Sequence, residues 1–327
     1  MQALNVFFTN DNASERVIGT YLYPRINIGI PELLDPYVAT EIVQTYALKD
    51  KIGDCQVLLS RAGGLFVRTP PGMPSFLDNI GSVEAILSDD KLFSKKMSFQ
   101  ERAANIMNRV ICEFTLRGVV SEPTSLVHIG VGNLVDNHAL IFSSGGGREV
   151  YSERTIGAVS ELANGSWETR RWFIGEAFTE AHGLTLTKKL LIISDYLPTL
   201  VASAYSRYSQ GQLHGALADS WIVIEQILNF YWASYITGYS KNRQDRLNDG
   251  SVFSAGVRSE ALQMLGKLPE ELYEALIPAR QYRNKLMHGA TISKAAADAG
   301  LAAMHKLLEF YCEASVNRPQ YNPGVNW

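Results

Sequence analysis

Apolar positions follow two rhythms along the chain, and the change from one to the other falls near residue 190. Before it, short runs rich in β-branched and aromatic residues dominate: VIGTYLY, CQVLLSR and GLFVRT each predict a strand. SLVHIGV, HALIFSS and REVYSE predict a small meander, with SGGG at 144–147 as a hairpin loop. One helix interrupts the strands. Ser98 and Glu101 have capping-box spacing, and Phe99, Ala103, Ile106, Val110, Ile111 and Phe114 follow at helical intervals, predicting a helix that packs across a sheet.

After residue 190 the period lengthens. Four helices are predicted, at about 188–209 with Pro198 as a kink or break, 212–236, 269–288, and 293–314 with Ser293 as N-cap; a shorter fifth fits 255–266. Long amphipathic helices with short connections favour an antiparallel bundle. The expected organisation is therefore an α+β N-terminal domain over 1–189, an all-α helical bundle over 190–316 and a C-terminal tail over 317–327.

Composition narrows the classes without choosing among them. The chain has 327 residues, 46% of them hydrophobic, with 26 Gly and 12 Pro, which excludes collagenous and linker-dominated proteins. A net charge of −3 means that any nucleic-acid binding must come from a local basic patch. Cys55, Cys112 and Cys312 are odd in number and lack CxxC spacing, which fits a reducing compartment and offers no zinc framework. The opening MQALNVFFTNDNASERV has no basic stretch leading into a long apolar run, so it does not read as a secretory signal. The most apolar stretch, LLIISDYLPTLVASAY, is broken by Asp195 and Pro198 before it could span a bilayer. A cytoplasmic protein without a membrane partner is expected.

Several chemical candidates fall on spacing. GGLF and SGGGRE lack both GxGxxG and GxxxxGK[ST] spacing, so neither forms a phosphate loop. Asp89 and Asp90 read as a solvated turn, and His128 and His138 lack further ligands at metal spacing. Arg170 and Arg171 beside Trp172 read as surface charge next to an anchoring aromatic. No metal or cofactor is expected.

What remains is RNKLMHG, Arg283 to Gly289. At about 100° per residue, Leu272, Leu276, Ala279, Tyr282 and Leu286 form one stripe, and Arg283 lies on it about 20° from Leu272. A guanidinium there needs an anion or an open polar cleft. Glu225, at the edge of the apolar arc of SWIVIEQILNFYW beside Trp221 and Trp232, is the expected partner. Asn284 and His288 are about 40° apart, whereas Arg283 and His288 diverge by about 140°. To act on one atom, they require fraying at the helix end, which a left-handed Gly289 would permit, or a second copy related by a dyad. The plain structural reading of the same residues makes His288 a helix C-terminal cap, Arg283 half of an ion pair and Asn284 solvent-exposed.

Arg283, Asn284 and His288 resemble the R-(N/D/H)-xxx-H signature of the HEPN superfamily at every defined position, near the end of a long helix as in that family. Glu225 resembles an acidic residue that some members carry on a preceding helix. The resemblance covers about 190–316 and implies a HEPN-like antiparallel bundle. It further implies a metal-independent endoribonuclease of antiviral defence or growth arrest, of the abortive-infection or toxin kind, acting as a homodimer on RNA. His288 would then move a proton, Arg283 would stabilise phosphate charge, Asn284 would orient phosphate or histidine, and Arg280 and Lys285 would guide the RNA backbone. The 1–189 domain would sense a trigger or a regulatory partner. The alternatives are a catalytically silent HEPN-type ligand-binding or scaffold protein, and a helical protein in which the spacing is accidental.

Overall fold

The computed structural model describes residues 15–21, 26–28, 46–53, 55–60, 63–68, 90–135, 138–142, 171–173 and 183–317. The chain divides into two compact units, one formed by 1–110 with 122–183, the other by 111–121 with 184–327.

The first unit is built on an antiparallel six-stranded sheet in the order β3-β4-β5-β1-β6-β7. These strands are β1 (Glu15–Tyr21), β3 (Tyr46–Ile52), β4 (Cys55–Ser60), β5 (Gly64–Arg68), β6 (Gly130–Val135) and β7 (His138–Phe142). A separate parallel pair joins β2 (Ile26–Ile28) to β8 (Arg171–Phe173). Consecutive residues of β1, β4 and β5 are buried, so both faces of the sheet's middle are covered: Val17, Ile18, Val57, Leu59, Leu65 and Val67 are all closed to solvent. β3, sequence YALKDKI, forms one edge, and Lys49 and Lys51 are the kind of charge that keeps an edge from pairing further.

Two expectations need correction here. SLVH is not strand: Leu126–His128 is a turn of 3-10 helix, and β6 begins at Gly130. Ser98 is not a helix start, because α1 runs from Asp90 to Leu116 and carries Ser98 in its interior, with its backbone already bonded into the helix. The predicted stripe of α1 is nonetheless buried throughout, from Phe99 and Ala103 to Val110, Ile111 and Phe114. SGGG and REVYSE lie outside the described residues, as do Asp89 and Arg170.

The second unit is helical, comprising the end of α1 and α2 (Thr185–Leu191), α3 (Leu197–Ser209), α4 (Leu213–Ile236), α5 (Lys241–Asn248), α6 (Ala255–Met264), α7 (Glu270–Met287) and α8 (Lys294–Cys312). Pro198 falls in the first turn of α3, where a missing N–H costs nothing, so the predicted 188–209 helix is broken into α2 and α3. Segment 111–121 belongs to this unit for a chemical reason. The fully buried Glu113 accepts from Arg117 Nε and Nη2 at 3.0 and 2.7 Å and from the Thr187 backbone N–H at 2.8 Å, and Asn317 N–H donates to the Leu116 carbonyl at 2.9 Å. Where α8 crosses α4, Gly300 lets the helices close: a Cβ there would meet Leu217 Cδ1 at 2.6 Å. The core gathers Trp221, Ile224, Ile227, Leu228, Leu276, Met304 and Leu308. Among the described residues, no helix is long and apolar enough to cross a membrane.

Candidate functional site

The RNKLMHG motif occupies the last turn and cap of α7. Its ending is well built. His288 is the C-cap, Gly289 takes φ +80°, Gly289 N–H donates to Leu286 O at 3.0 Å and Ala290 N–H to Lys285 O at 3.1 Å. That bond pair is a Schellman motif, in which the left-handed residue turns two N–H groups back onto the last carbonyls. The loop that follows is fastened at Ile292, whose N–H donates to His214 Nε2 at 3.3 Å, and Ser293 Oγ then caps α8 by accepting from Ala296 N–H. His214 thus holds the chain four residues beyond His288.

Burial along α7 fades toward the motif. Leu272, Leu276 and Ala279 are buried, but Tyr282 and Leu286 are only half-buried, against a small cluster of Leu217, Ile292 and Ala296. Arg283 therefore lies on the apolar stripe by phase yet keeps 33% of its side-chain surface open. Its Nη2 is 3.9 Å from Glu225 Oε1 on α4, and its Nη1 donates to Asn284 Oδ1 at 3.3 Å. The expected partner is present, and both side chains of the pair are part-exposed. Asn284 and His288 are both exposed.

The two candidate RNA contacts separate. Arg280, one turn before Arg283, lies against α6, close enough that a Cβ on Gly256 would sit 2.0 Å from its Nη1. Lys285 projects elsewhere, with Nζ 5.5 Å from the centroid of the Tyr282 ring.

A residue without a sequence signal joins this place. Arg258, on α6, donates from Nη1 to Asn229 Oδ1 at 2.5 Å and from Nη2 to the Asn248 carbonyl at 3.0 Å, and its Nε–H is buried with no partner among the described residues. Asn229 lies one turn beyond Glu225 on α4, so the two present side chains along one line of that helix. Burial lowers the pKa of the Arg258 guanidinium from its ordinary value, and the Glu225 carboxylate opposes that shift. The approach of α6 is fixed from outside the motif: Trp232 Nε1 donates to Leu247 O at 3.0 Å, and its ring stacks on Phe253 at 5.6 Å. Asp249, its pKa lowered by bonds from Ser251, shapes the turn between them.

Of the other residues weighed from sequence, His128 is part-buried with Nδ1 3.4 Å from Ser125 N and Oγ, and its carbonyl accepts from Thr20 Oγ1 at 2.7 Å. Arg171 and Trp172 form backbone pairs in β8. Among the described residues, no three His, Cys, Asp or Glu side chains come together as a metal-ligand group. No known protein family, curated protein or solved structure matches the chain.

Proposed function

We propose that the chain is a metal-independent endoribonuclease of HEPN type, serving antiviral defence or growth arrest and cleaving RNA at a site completed by a second copy. One observation carries the reading: Arg283, Asn284 and His288 stand at the solvent-facing end of α7, with Arg283 tethered to Glu225 on the long helix α4. An arginine held 3.9 Å from a half-exposed carboxylate is lightly restrained and can exchange that partner for a phosphate. The exposed Ile222 and Met287, on the same two helices, supply apolar surface for a symmetric contact.

In this mechanism the RNA 2′-hydroxyl attacks the adjacent phosphorus and the P–O5′ bond breaks. One His288 takes the 2′-hydroxyl proton or delivers one to the departing 5′-oxygen, a task suited to an imidazole. Arg283 neutralises charge on the phosphoryl oxygens, and Asn284 orients the phosphate or the imidazole.

The test is cleavage of single-stranded RNA in EDTA. Products should carry 2′,3′-cyclic phosphate and 5′-hydroxyl ends, a 2′-deoxy strand should remain whole, and His288→Ala should lose about 10²–10⁴ in rate. Mixing Arg283→Ala with His288→Ala chains should restore about a quarter of the wild-type rate, since random pairing makes half of the dimers mixed and each mixed dimer rebuilds one of two sites. Magnesium-dependent cutting of a deoxy strand, indifferent to both substitutions, would overturn the reading. RNA binding without cleavage under any condition would favour the silent scaffold instead.

A further inference from the structure

Arg283 on α7 and Arg258 on α6 both approach α4, the first at Glu225 and the second at Asn229 one turn beyond it. Arg283 shares an ion pair with Glu225 at 3.9 Å. Arg258 has only neutral oxygens as partners, Asn229 Oδ1 and the Asn248 carbonyl, and leaves its Nε–H unmatched. Arg258 forms no ion pair among the described residues, and the Glu225 carboxylate acts on both guanidiniums. A guanidinium offers five N–H donors, and Arg258 spends two of them on neutral acceptors. The Nη hydrogens left over, on a guanidinium without an ion pair, are what an oxyanion completes best.

We infer that Arg258 forms a subsite for a backbone phosphate of a single-stranded nucleic acid, next to the position that Arg283 would serve. This deepens the ribonuclease reading and rests on it for the identity of the strand. Arg258 acts here as a positioning residue: it would fix the register of the strand by holding a phosphate that is not cut. Glu225 opposes strand binding while the site is empty, because it partly satisfies Arg283 and attracts Arg258.

The experiment is fluorescence anisotropy of the full chain with a labelled 2′-O-methyl oligonucleotide, which cannot be cleaved, titrated between 50 and 200 mM KCl. Each phosphate contact on a single strand contributes about 0.7 to the slope of log affinity against log salt. Arg258→Gln should lower that slope by about 0.7 and weaken binding at low salt several-fold, while Arg258→Lys, which keeps the charge but not the fork, should retain the slope. Lys306→Gln, at an exposed position on α8, should change neither, and Glu225→Gln should tighten binding. Equal losses in the Lys and Gln variants would make Arg258 a structural strut and overturn the subsite, as would wild-type affinity and slope in Arg258→Gln. The two readings fail separately. Cleavage that depends on His288 with a salt slope indifferent to Arg258 sinks the subsite alone, whereas Arg258-dependent binding of a strand that is never cut keeps the subsite and sinks the nuclease.

Discussion

Glu225→Ala separates a buried ion pair from a surface one. Were the Arg283–Glu225 pair desolvated, as the helical phase of α7 suggests, removing the carboxylate would strand a buried guanidinium at a cost of about 3–5 kcal/mol. The structure argues for much less. Both side chains keep 33% of their surface open, and the closest N···O distance is 3.9 Å. Two unit charges at that separation attract by about 1 kcal/mol in a water-like dielectric. Ordering two long side chains and screening by salt reduce the net to about 0.2–1 kcal/mol. Arg283 is also not left alone, since its Nη1 still reaches Asn284 Oδ1 at 3.3 Å. Urea unfolding at pH 7, followed by far-UV circular dichroism, should show Glu225→Ala less stable than the parent by under about 1 kcal/mol at 50 mM salt. The difference should nearly vanish at 0.5 M salt, where the screening length approaches the contact distance. A salt-insensitive loss of about 3 kcal/mol or more would refute the reasoning and return Arg283 to the core.

Two further predictions concern the backbone of the motif and the buried thiols. Gly289→Ala forces a Cβ into φ +80° although nothing lies within 4 Å of where it would sit, so the cost is backbone strain alone, about 1–2 kcal/mol in the same unfolding assay; an unchanged midpoint would contradict the left-handed cap. Cys55, Cys112 and Cys312 are buried, with the Cys312 thiol pushed up to about 11 by burial, helped by the Glu113 carboxylate and opposed by Lys189. A thiol pKa raised on folding stabilises the native state below its ordinary value of 9.0 and loses that contribution as pH climbs toward about 11, so stability should fall across this window. Disulfide-exchange labelling at pH 8 should accordingly find three thiols in urea and none reacting fast in the native protein; prompt native labelling would refute the burial.

Period and capping chemistry made much of the second unit legible. α7 and α8 follow apolar stripes, α4 is apolar around most of its circumference, Ser293 accepts from Ala296 N–H as an N-cap should, and Gly289 adopts the left-handed conformation that ends α7. Elements without an apolar face gave no signal. α5, sequence KNRQDRLN, has no buried residue, whereas β3 buries Leu48 and Ile52 but hides that alternation behind its Lys-Asp-Lys run and is an edge strand stabilised by pairing with β4. Ser98 misled because a good capping pair can also sit inside a helix whose preceding residues continue it. Arg258 had no local signature at all: its partners come from Asn229 and the Asn248 carbonyl, and only tertiary packing of α6 onto α4 brings them together. Phase located Arg283 on its stripe and pointed to Glu225, yet it carries no information about how far along α7 the neighbouring helices reach.

That last limit bears on how the motif could work. Two routes could bring Arg283 and His288 to one phosphate, fraying at the end of α7 or a second copy of the chain. Fraying would need the helix to open before His288. Instead, His288 N–H donates to both Asn284 O and Lys285 O, at 3.2 and 3.1 Å, and the reversal comes one residue later at Gly289. Helical geometry therefore persists through the whole motif and keeps Arg283 and His288 about 140° apart on one chain. Moving His288 to the Arg283 side would also break the two bonds of the Schellman motif and displace Ile292 from His214. A second copy demands none of this, because the arginine of one helix end can face the histidine of the other while each cap stays intact. The same bonds that make the motif rigid are thus what makes a shared site the less costly way for it to act.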